Sequence, residues 1–206
     1  LNILESLRKL NNACNVVIIT SDKCYQNKEW VWGYREYDSL GGNDPYSNSK
    51  ACAELITSAY RDSYFKKPDP PFKNVAVATV RAGNVIGGGD WAENRLIPDV
   101  MQSLISGHQV KIRNPNSIRP WQFVLEPLCG YMTLAERLWT NGAEYAEGWN
   151  FGPSENDAQS VFWIVEKLGK LWGTKTDWTE LPQPHPHEAN YLKLDCGKAR
   201  QKLNWA

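Results

Sequence analysis

The stretch that decides the fold is "NVVIITSDKCY", residues 15–25. Its first half is a short apolar run, which is typical of a strand buried on both faces of a parallel sheet. Its second half places Ser21, Asp22 and Lys23 directly after that strand. Open α/β folds bind ligands at the carboxyl ends of parallel strands, so we expect this segment to face a ligand. The alternative is a surface turn in which Asp22 is only a local cap.

The composition of the 206 residues is that of an ordinary globular protein. Lys plus Arg and Asp plus Glu both number 23, and this balance gives no indication of a nucleic-acid or membrane-surface partner. Five cysteines, an odd number without C-x-x-C spacing, indicate a reduced, cytoplasmic chain. No apolar run approaches the roughly 20 residues that span a bilayer. We therefore expect no nucleic-acid partner and no membrane partner.

Strand and helix signals alternate along the chain, which predicts an α/β fold with a largely parallel sheet. One helix has clear start signals, because Asp44 can cap it and Pro45 suits its first turn. The predicted strands are 15–20, 74–81, 109–114, 119–125, 148–153, 175–181 and 191–195, and the predicted helices are 1–12, 46–64, 97–107, 126–139, 160–173 and 196–205.

The stretch "DPYSNSK", residues 44–50, places Tyr46 and Lys50 four residues apart on one face of the predicted helix. A neighbouring ammonium favours the phenolate form of a tyrosine, so the pair can supply a general base near neutral pH. Lys50 could also hydrogen-bond the ribose of a cofactor. Because Y-x-x-x-K is common by chance, a solvated Tyr and Lys on a helix surface is the alternative interpretation.

The order of several segments resembles the extended short-chain dehydrogenase/reductase superfamily, and within it the CDP-glucose 4,6-dehydratases. The resemblance covers nearly the whole chain. Y-x-x-x-K marks only the superfamily, whereas "SDK" at residues 21–23 marks the subgroup, since related dTDP-glucose dehydratases carry Thr-Asp-Glu there and epimerases lack the acidic pair. The segments are "TSDKCY", "GGNDPYSNSKACAEL", "RAGNVIGGGDW", "NRLIPD", "IRPWQFVLEPL", "WNFGP" and "HEANYLKLD".

The resemblance implies a doubly wound, parallel-sheet Rossmann-like domain with a smaller mixed α/β substrate domain. We assign residues 1–85 and 119–145 to the remaining, C-terminal half of an NAD-binding domain, and 86–118 and 146–206 to a nucleotide-sugar-binding domain. The superfamily binds NAD through a GxxGxxG turn, which this sequence lacks. "GGGDWA", residues 87–92, fits GxGxxA as a string but opens no helix after a strand, and we interpret it as a flexible substrate loop.

We therefore expect the sequence to begin about halfway through the dinucleotide-binding domain, and this piece alone to be inactive. The resemblance implies that the whole protein converts CDP-D-glucose to CDP-4-keto-6-deoxy-D-glucose with NAD, for deoxysugars of surface polysaccharide. It also implies a homodimer, since many relatives pair the helices around Y-x-x-x-K. The alternatives are an NAD-dependent nucleotide-sugar epimerase or decarboxylase, and a non-catalytic protein that binds nucleotide sugar.

By resemblance, Tyr46 is the base at O4 of the sugar, and Ser21 hydrogen-bonds that oxygen. Asp22 protonates the hydroxyl that leaves C6. Lys23 stands where relatives carry a Glu that helps to remove the C5 proton, which a Lys could do only if it were neutral. It could instead hold Asp22 or polarise the 4-keto oxygen, and the sequence does not decide between these roles. Tyr46, Lys50 and Val85 are the cofactor contacts.

A CDP-sugar carries a diphosphate, which calls for guanidinium groups and amide donors. The residues that match substrate positions of the family are Asn84, Arg95, Leu96, Arg113, Arg119, Asn150 and His187. His185 and His187 lie close together in "PHPHEAN", but no third ligand has suitable spacing, so we predict no metal site. The choice of CDP rests on the resemblance, since none of these residues reads cytosine by a chemistry that we can specify.

Overall fold

The computed structural model describes residues 1–66, 75–154, 157–181 and 191–205. Helices and strands alternate, and the predicted α/β class is confirmed. The helices are α1 (Asn2–Leu7), α2 (Pro45–Tyr60), α3 (Leu96–Ser106), α4 (Leu125–Asn141), α5 (Val161–Trp172) and α6 (Gly197–Leu203). The strands are β1 (Cys14–Ile19), β2 (Val75–Ala82), β3 (Val85–Ile86), β4 (Val110–Ile112), β5 (Ile118–Pro120), β6 (Gln122–Phe123), β7 (Gly148–Phe151), β8 (Ala158–Ser160) and β9 (Trp178–Glu180).

The main sheet has three parallel strands in the order β1-β2-β7. The central strand β2 is buried along nearly its whole length, which explains its continuous apolar sequence. α4 packs against β1 and β2, and α6 packs against β7. The carboxyl ends of the three strands lie at one edge of the sheet, so the segments that follow them are brought together there.

Aromatic side chains fill the core beside β7. Phe151 is fully buried and meets the rings of Tyr131 and Trp205 edge to face, with centroids 5.3 and 5.2 Å away. A β-carbon at Gly130 of α4 would lie only 2.3 Å from the Phe151 ring. Glycine is therefore required for α4 to approach β7 this closely.

The start of α2 follows its sequence signals, whereas its end does not. Oδ1 of Asp44 accepts a hydrogen bond from the amide of Ser47 at 3.0 Å, and Pro45 is the first helical residue. The predicted helix at 46–64 ends as an α-helix at Tyr60 and continues as one π-helical turn over Arg61–Phe65. The local sequence carries no distinct signal for that change in hydrogen bonding.

Several predicted strands need correction. Residues 191–195 form no strand; they make only single bridges, of Tyr191 to Ile118 and of Leu194 to Tyr34. The strand predicted over 119–125 is divided into β5, which pairs antiparallel with β8, and β6, which pairs parallel with β3. β3 and β8 were not predicted, because strands of two or three residues are too short to show a period.

The predicted domain division also needs one correction. A boundary at residue 146 would place β7 in the nucleotide-sugar domain, but β7 pairs with β2 in the main sheet. The short strand pairs β4–β9 and β5–β8 contain both parallel and antiparallel pairing. In the described ranges, no helix combines the length and the apolar character that crossing a bilayer requires.

Candidate functional site

A cavity of about 800 Å³ opens where the main sheet ends. Its walls come from the turn after β1, the start of α2, the loop after β2, α3, β4 and β5. The loop predicted to be flexible, Gly87–Ala92, contributes Gly87 to Trp91 to the rim. Ten predicted site residues line the cavity: Ser21, Asp22, Lys23, Tyr46, Asn84, Val85, Arg95, Leu96, Arg113 and Arg119.

The turn after β1 holds the acid. Ser21 caps a short 3-10 turn: its Oγ accepts from the amide of Lys23 at 3.2 Å and donates to Oδ1 of Asp22 at 2.9 Å. Asp22 is only 4% exposed, and its Oδ2 has no hydrogen-bond partner among the described residues. Burial raises the pKa of Asp22, although the Ser21 hydroxyl and the charges of Lys23 and Arg119 oppose this shift. A carboxyl with a raised pKa is suited to the role of a general acid.

Tyr46 faces the same cavity, and the side chains of two lysines lie near its ring. Nζ of Lys50 lies 5.7 Å from the centroid of the Tyr46 ring, and Nζ of Lys23 lies 6.0 Å from it. Tyr46 is half exposed, as a base that meets a ligand must be. Lys50 is partly buried behind Tyr46 and is not itself on the cavity wall. The helix therefore presents the predicted Tyr–Lys pair as one unit.

A buried ion pair beneath this surface was not predicted. Nε and Nη2 of Arg81 donate to the two carboxylate oxygens of Glu54, each at 2.8 Å. Thr20 donates to Oε1 at 2.5 Å, and Thr79 donates to Oε2 at 2.7 Å. Burial alone would raise the pKa of Glu54, but the Arg81 hydrogen bonds and charge and the two threonines lower it. The signal in the sequence was an Arg that ends the apolar run "VAVATVR".

Basic side chains also line the cavity. Arg119 is buried, and its Nη1 donates to its neighbouring carbonyl, of Ile118, at 3.0 Å. Nη2 of Arg113 donates to Oδ1 of Asn94 at 3.2 Å, and Arg95 pairs with Asp90 at 2.9 Å. Lys111 of β4 also lines the cavity and was not predicted, although it lies only two residues before Arg113. This wall can bind an anion such as a diphosphate.

The position of Asn150 contradicts its predicted contact with the diphosphate. It is fully buried in β7 and does not line the cavity. Its Oδ1 accepts from the Tyr25 hydroxyl at 2.7 Å, and its Nδ2 donates to the carbonyls of Tyr34 and Asp195 at 2.8 and 3.1 Å. The side-chain amide therefore links β7 to the segments of Tyr25, Tyr34 and Asp195, and both of its N–H donors are used within the protein.

The predicted contact His187 and the rejected zinc ligand His185 lie outside the described residues. Within the described ranges, no group of three His, Cys, Asp or Glu side chains could hold a metal ion. All five cysteines are described and none forms a disulfide.

Known proteins resemble this chain over its whole length. It is 57% identical over 204 residues to the CDP-glucose 4,6-dehydratase of Salmonella typhimurium, an alignment that covers 99% of this chain and 57% of that protein. The crystal structure of the dTDP-glucose 4,6-dehydratase of Bacillus anthracis in complex with NAD matches 98% of this chain and 59% of its own, with a TM-score of 0.79 and 21% identity. The UDP-glucuronic acid 4-epimerase of Bacillus cereus gives a TM-score of 0.83 at 16% identity, over 100% of this chain and 60% of its own.

The two solved structures have the same fold as this chain. Their low identities say nothing about which ligand this chain takes. The chain spans little more than half the length of the curated relative that it matches at 57% identity. A family model described as GDP-mannose 4,6 dehydratase matches residues 1–206. The chain therefore belongs to this family of nucleotide-sugar dehydratases, the GDP-mannose 4,6-dehydratase family.

Proposed function

We propose that the complete gene product converts CDP-D-glucose to CDP-4-keto-6-deoxy-D-glucose with NAD as a regenerated cofactor. The observation that carries the proposal is the buried carboxyl of Asp22, with one oxygen lacking a partner among the described residues, in the same cavity as Tyr46. Oxidation of a sugar hydroxyl needs a base, which Tyr46 supplies. Loss of water needs an acid for the departing hydroxyl, which Asp22 supplies. An epimerase, the runner-up, needs no such acid.

The proton transfers are assigned to the side chains that meet at the cavity. Tyr46, whose ring has the Nζ atoms of Lys50 and Lys23 at 5.7 and 6.0 Å from its centroid, takes the proton from O4 of the sugar. The Ser21 hydroxyl, at the cavity wall, hydrogen-bonds O4 during this step. Burial raises the pKa of Asp22, which suits it to give a proton to the hydroxyl that leaves C6.

The position of Lys23 favours one of its three possible roles. The side chain is exposed, and a solvated lysine is an ammonium ion, which donates hydrogen bonds and does not remove protons. Its Nζ lies 6.0 Å from the centroid of the Tyr46 ring. Its charge lowers the pKa of Asp22, against the effect of burial. We therefore assign Lys23 to polarising the 4-keto oxygen, which acidifies the C5 proton. That proton passes to water in the cavity, and a proton returns from water to C5 when the hydride is returned to C6.

The described residues fit the nicotinamide end of NAD. Tyr46 and Lys50 stand together at the cavity, and Val85, 40% exposed on the wall, offers an apolar contact. The GxxGxxG turn that binds the cofactor diphosphate in the superfamily does not occur in these 206 residues. When bound, NAD accepts a hydride from C4 of the sugar and returns it to C6.

Substrate binding is assigned to the basic wall. Arg119, Arg113, Arg95 and Lys111 line the cavity with the polar Asn84, and guanidinium groups match the geometry of diphosphate oxygens. Leu96, at the start of α3, lines the same cavity and is assigned to the nucleotide end of the substrate. The choice of cytidine rests on the 57% identity to the Salmonella enzyme. His187 remains a predicted contact without a described position.

Two further assignments belong to the same proposal. A cytoplasmic location agrees with five cysteines that form no disulfide. A homodimer agrees with exposed apolar side chains on α1 and α2, among them Ile3, Leu55 and Ile56. Light scattering of the complete gene product tests the dimer, and a monomer across micromolar concentrations would contradict it.

The test is turnover by the complete gene product with NAD and CDP-glucose, with UDP-glucose and dTDP-glucose in parallel. We expect a product lighter than the substrate by one water from CDP-glucose. Product from another nucleotide alone would keep the reaction and reject the cytidine assignment. Absence of product from all three would reject the proposed function.

A further inference from the structure

The turn that carries Asp22 and the helix that carries Tyr46 come from different parts of the chain, yet the reaction requires both groups to reach one sugar. Thr20 immediately precedes Ser21 and Asp22, and Glu54 lies on the helix of Tyr46 and Lys50. The spacing 46, 50, 54 puts the three side chains along one face of α2, and eight residues span about 12 Å. Glu54 is thus the buried end of the face whose exposed end is Tyr46.

A direct hydrogen bond joins these two parts. The Thr20 hydroxyl, 8% exposed, lies 2.5 Å from Oε1 of Glu54 and 3.1 Å from the carbonyl of Val80. The Thr20 amide donates to the same carbonyl at 2.9 Å, so the end of β1 is fixed to β2 as well. Glu54 cannot move freely, because Arg81 of β2 holds both its oxygens.

We propose that Thr20 is a positioning residue, which through its hydrogen bond to Glu54 sets the distance between the acid Asp22 and the base Tyr46. The inference rests on the proposed function for the roles of these two groups. Thr20 does not line the cavity and acts through the turn that follows it. A misplacement of about 1 Å costs on the order of 100-fold in rate, so a single buried hydroxyl suffices to matter.

Thr79 provides a matched control. It too is a buried threonine whose hydroxyl donates to Glu54, at 2.7 Å to Oε2, but it lies inside β2 and precedes no catalytic segment. Thr20→Val and Thr79→Val each remove one hydroxyl from the same carboxylate and leave the Arg81 pair intact. The two variants differ in which segment is released from Glu54, and Thr20→Val also removes the 3.1 Å contact with the Val80 carbonyl.

Two readouts are measured on the complete gene product. In turnover of CDP-glucose, we expect Thr20→Val to lower kcat about 10- to 100-fold with little change in KM, Thr20→Ser to restore most of it, and Thr79→Val to leave kcat near the wild-type value. In amide hydrogen exchange without ligand, we expect faster exchange in the peptide of residues 20–25 for Thr20→Val only. Thermal melting should show similar losses for both valine variants.

Equal kcat losses in the two valine variants would overturn the proposal, because the hydroxyl would then matter only for stability. Failure of Thr20→Val to fold when Thr79→Val folds would overturn it for the same reason. If the wild-type protein turned over no nucleotide sugar, the proposed function would fail, and the hydrogen-exchange comparison would still decide whether Thr20 holds the Asp22 turn.

Discussion

Oδ2 of Asp22 lies 3.2 Å from the point where a β-carbon on Gly83 would stand. The same β-carbon would lie only 2.5 Å from Cγ of Pro120, a distance that real side chains do not reach. Gly83 begins the loop after β2, so the backbone passes directly between the acid and β5. Because Gly83 has no side chain, Oδ2 of Asp22 can occupy its position in the cavity wall without a steric clash.

The first prediction concerns this close approach. Gly83→Ala should destabilise the protein by about 1–3 kcal/mol, because Pro120 must shift to admit the methyl group. The kcat should fall even under conditions where the variant is fully folded, because the shift also displaces Asp22. Gly88→Ala is the control for stability, as its β-carbon would meet nothing within 4 Å. Equal melting temperatures for Gly83→Ala and wild type would show that the contact is not as close as described.

The second prediction separates the catalytic role of Asp22 from its effect on folding. Asp22→Asn keeps the shape of the side chain but removes the acidic proton, so kcat should fall about 10²- to 10⁴-fold. The same variant should be more stable than wild type at neutral pH, because it removes a carboxyl whose ionisation is disfavoured by burial. Chemical denaturation of both proteins at several pH values measures this difference.

The direction of the pH effect follows from the raised pKa of Asp22. Between its ordinary value of 3.8 and the raised pKa, the folded protein holds a proton that the unfolded chain has released. The contribution of Asp22 to the unfolding free energy of the wild type therefore decreases as the pH rises through that interval. The Asp22→Asn variant has no carboxyl at this position and does not show this decrease. A stability difference that grows as the pH falls would contradict the buried, protonated carboxyl.

The third prediction concerns the ion pair of Glu54 and Arg81, whose side chains are 3% and 4% exposed. Removing one partner leaves a buried charge, so Glu54→Leu or Arg81→Met should cost about 3–5 kcal/mol of unfolding free energy. The double variant Glu54→Leu with Arg81→Met should cost much less than the sum of the two single changes. Additive losses in this double-mutant cycle would mean that the two groups do not depend on each other.

The fourth prediction is the acid dependence of the same pair. The pKa of Glu54 is lowered from its ordinary value of 4.5, so its contribution to stability is complete above that pH and is lost as the pH falls through the lowered pKa. The stability difference between wild type and Glu54→Gln should therefore be largest at neutral pH and shrink below about pH 4.5. A pH-independent difference would contradict an ionised Glu54.

The fifth prediction tests the base. Tyr46→Phe should lower kcat about 10²- to 10⁴-fold without changing the melting temperature, because half of this side chain is already exposed. Tyr37→Phe is the matched control: Tyr37 is 84% exposed and lies outside the cavity, so both quantities should stay at wild-type values. Wild-type turnover by Tyr46→Phe would remove Tyr46 from the mechanism.

The sequence predicted correctly those features that depend on interactions between residues close together in the chain. The cap at Asp44, the apolar strands and the four-residue spacing of Tyr46 and Lys50 depend on neighbours in the chain, and the structure contains them. The pairing of Glu54 with Arg81 joins residues 27 apart, and no periodicity reveals it. Asn150 was misplaced for a related reason, since only the packing of β7 against the 25–36 loop decides which way its amide is used.

The measurement that tests the central claim most directly follows one hydrogen. The complete gene product is incubated with NAD and CDP-glucose that carries deuterium at C4, and the position of the label is read by mass spectrometry and NMR. If Asp22 and Tyr46 perform a 4,6-dehydration, the product has lost one water and carries the deuterium at C6. Deuterium retained at C4 of a product that has lost no water would contradict this account and identify an epimerase.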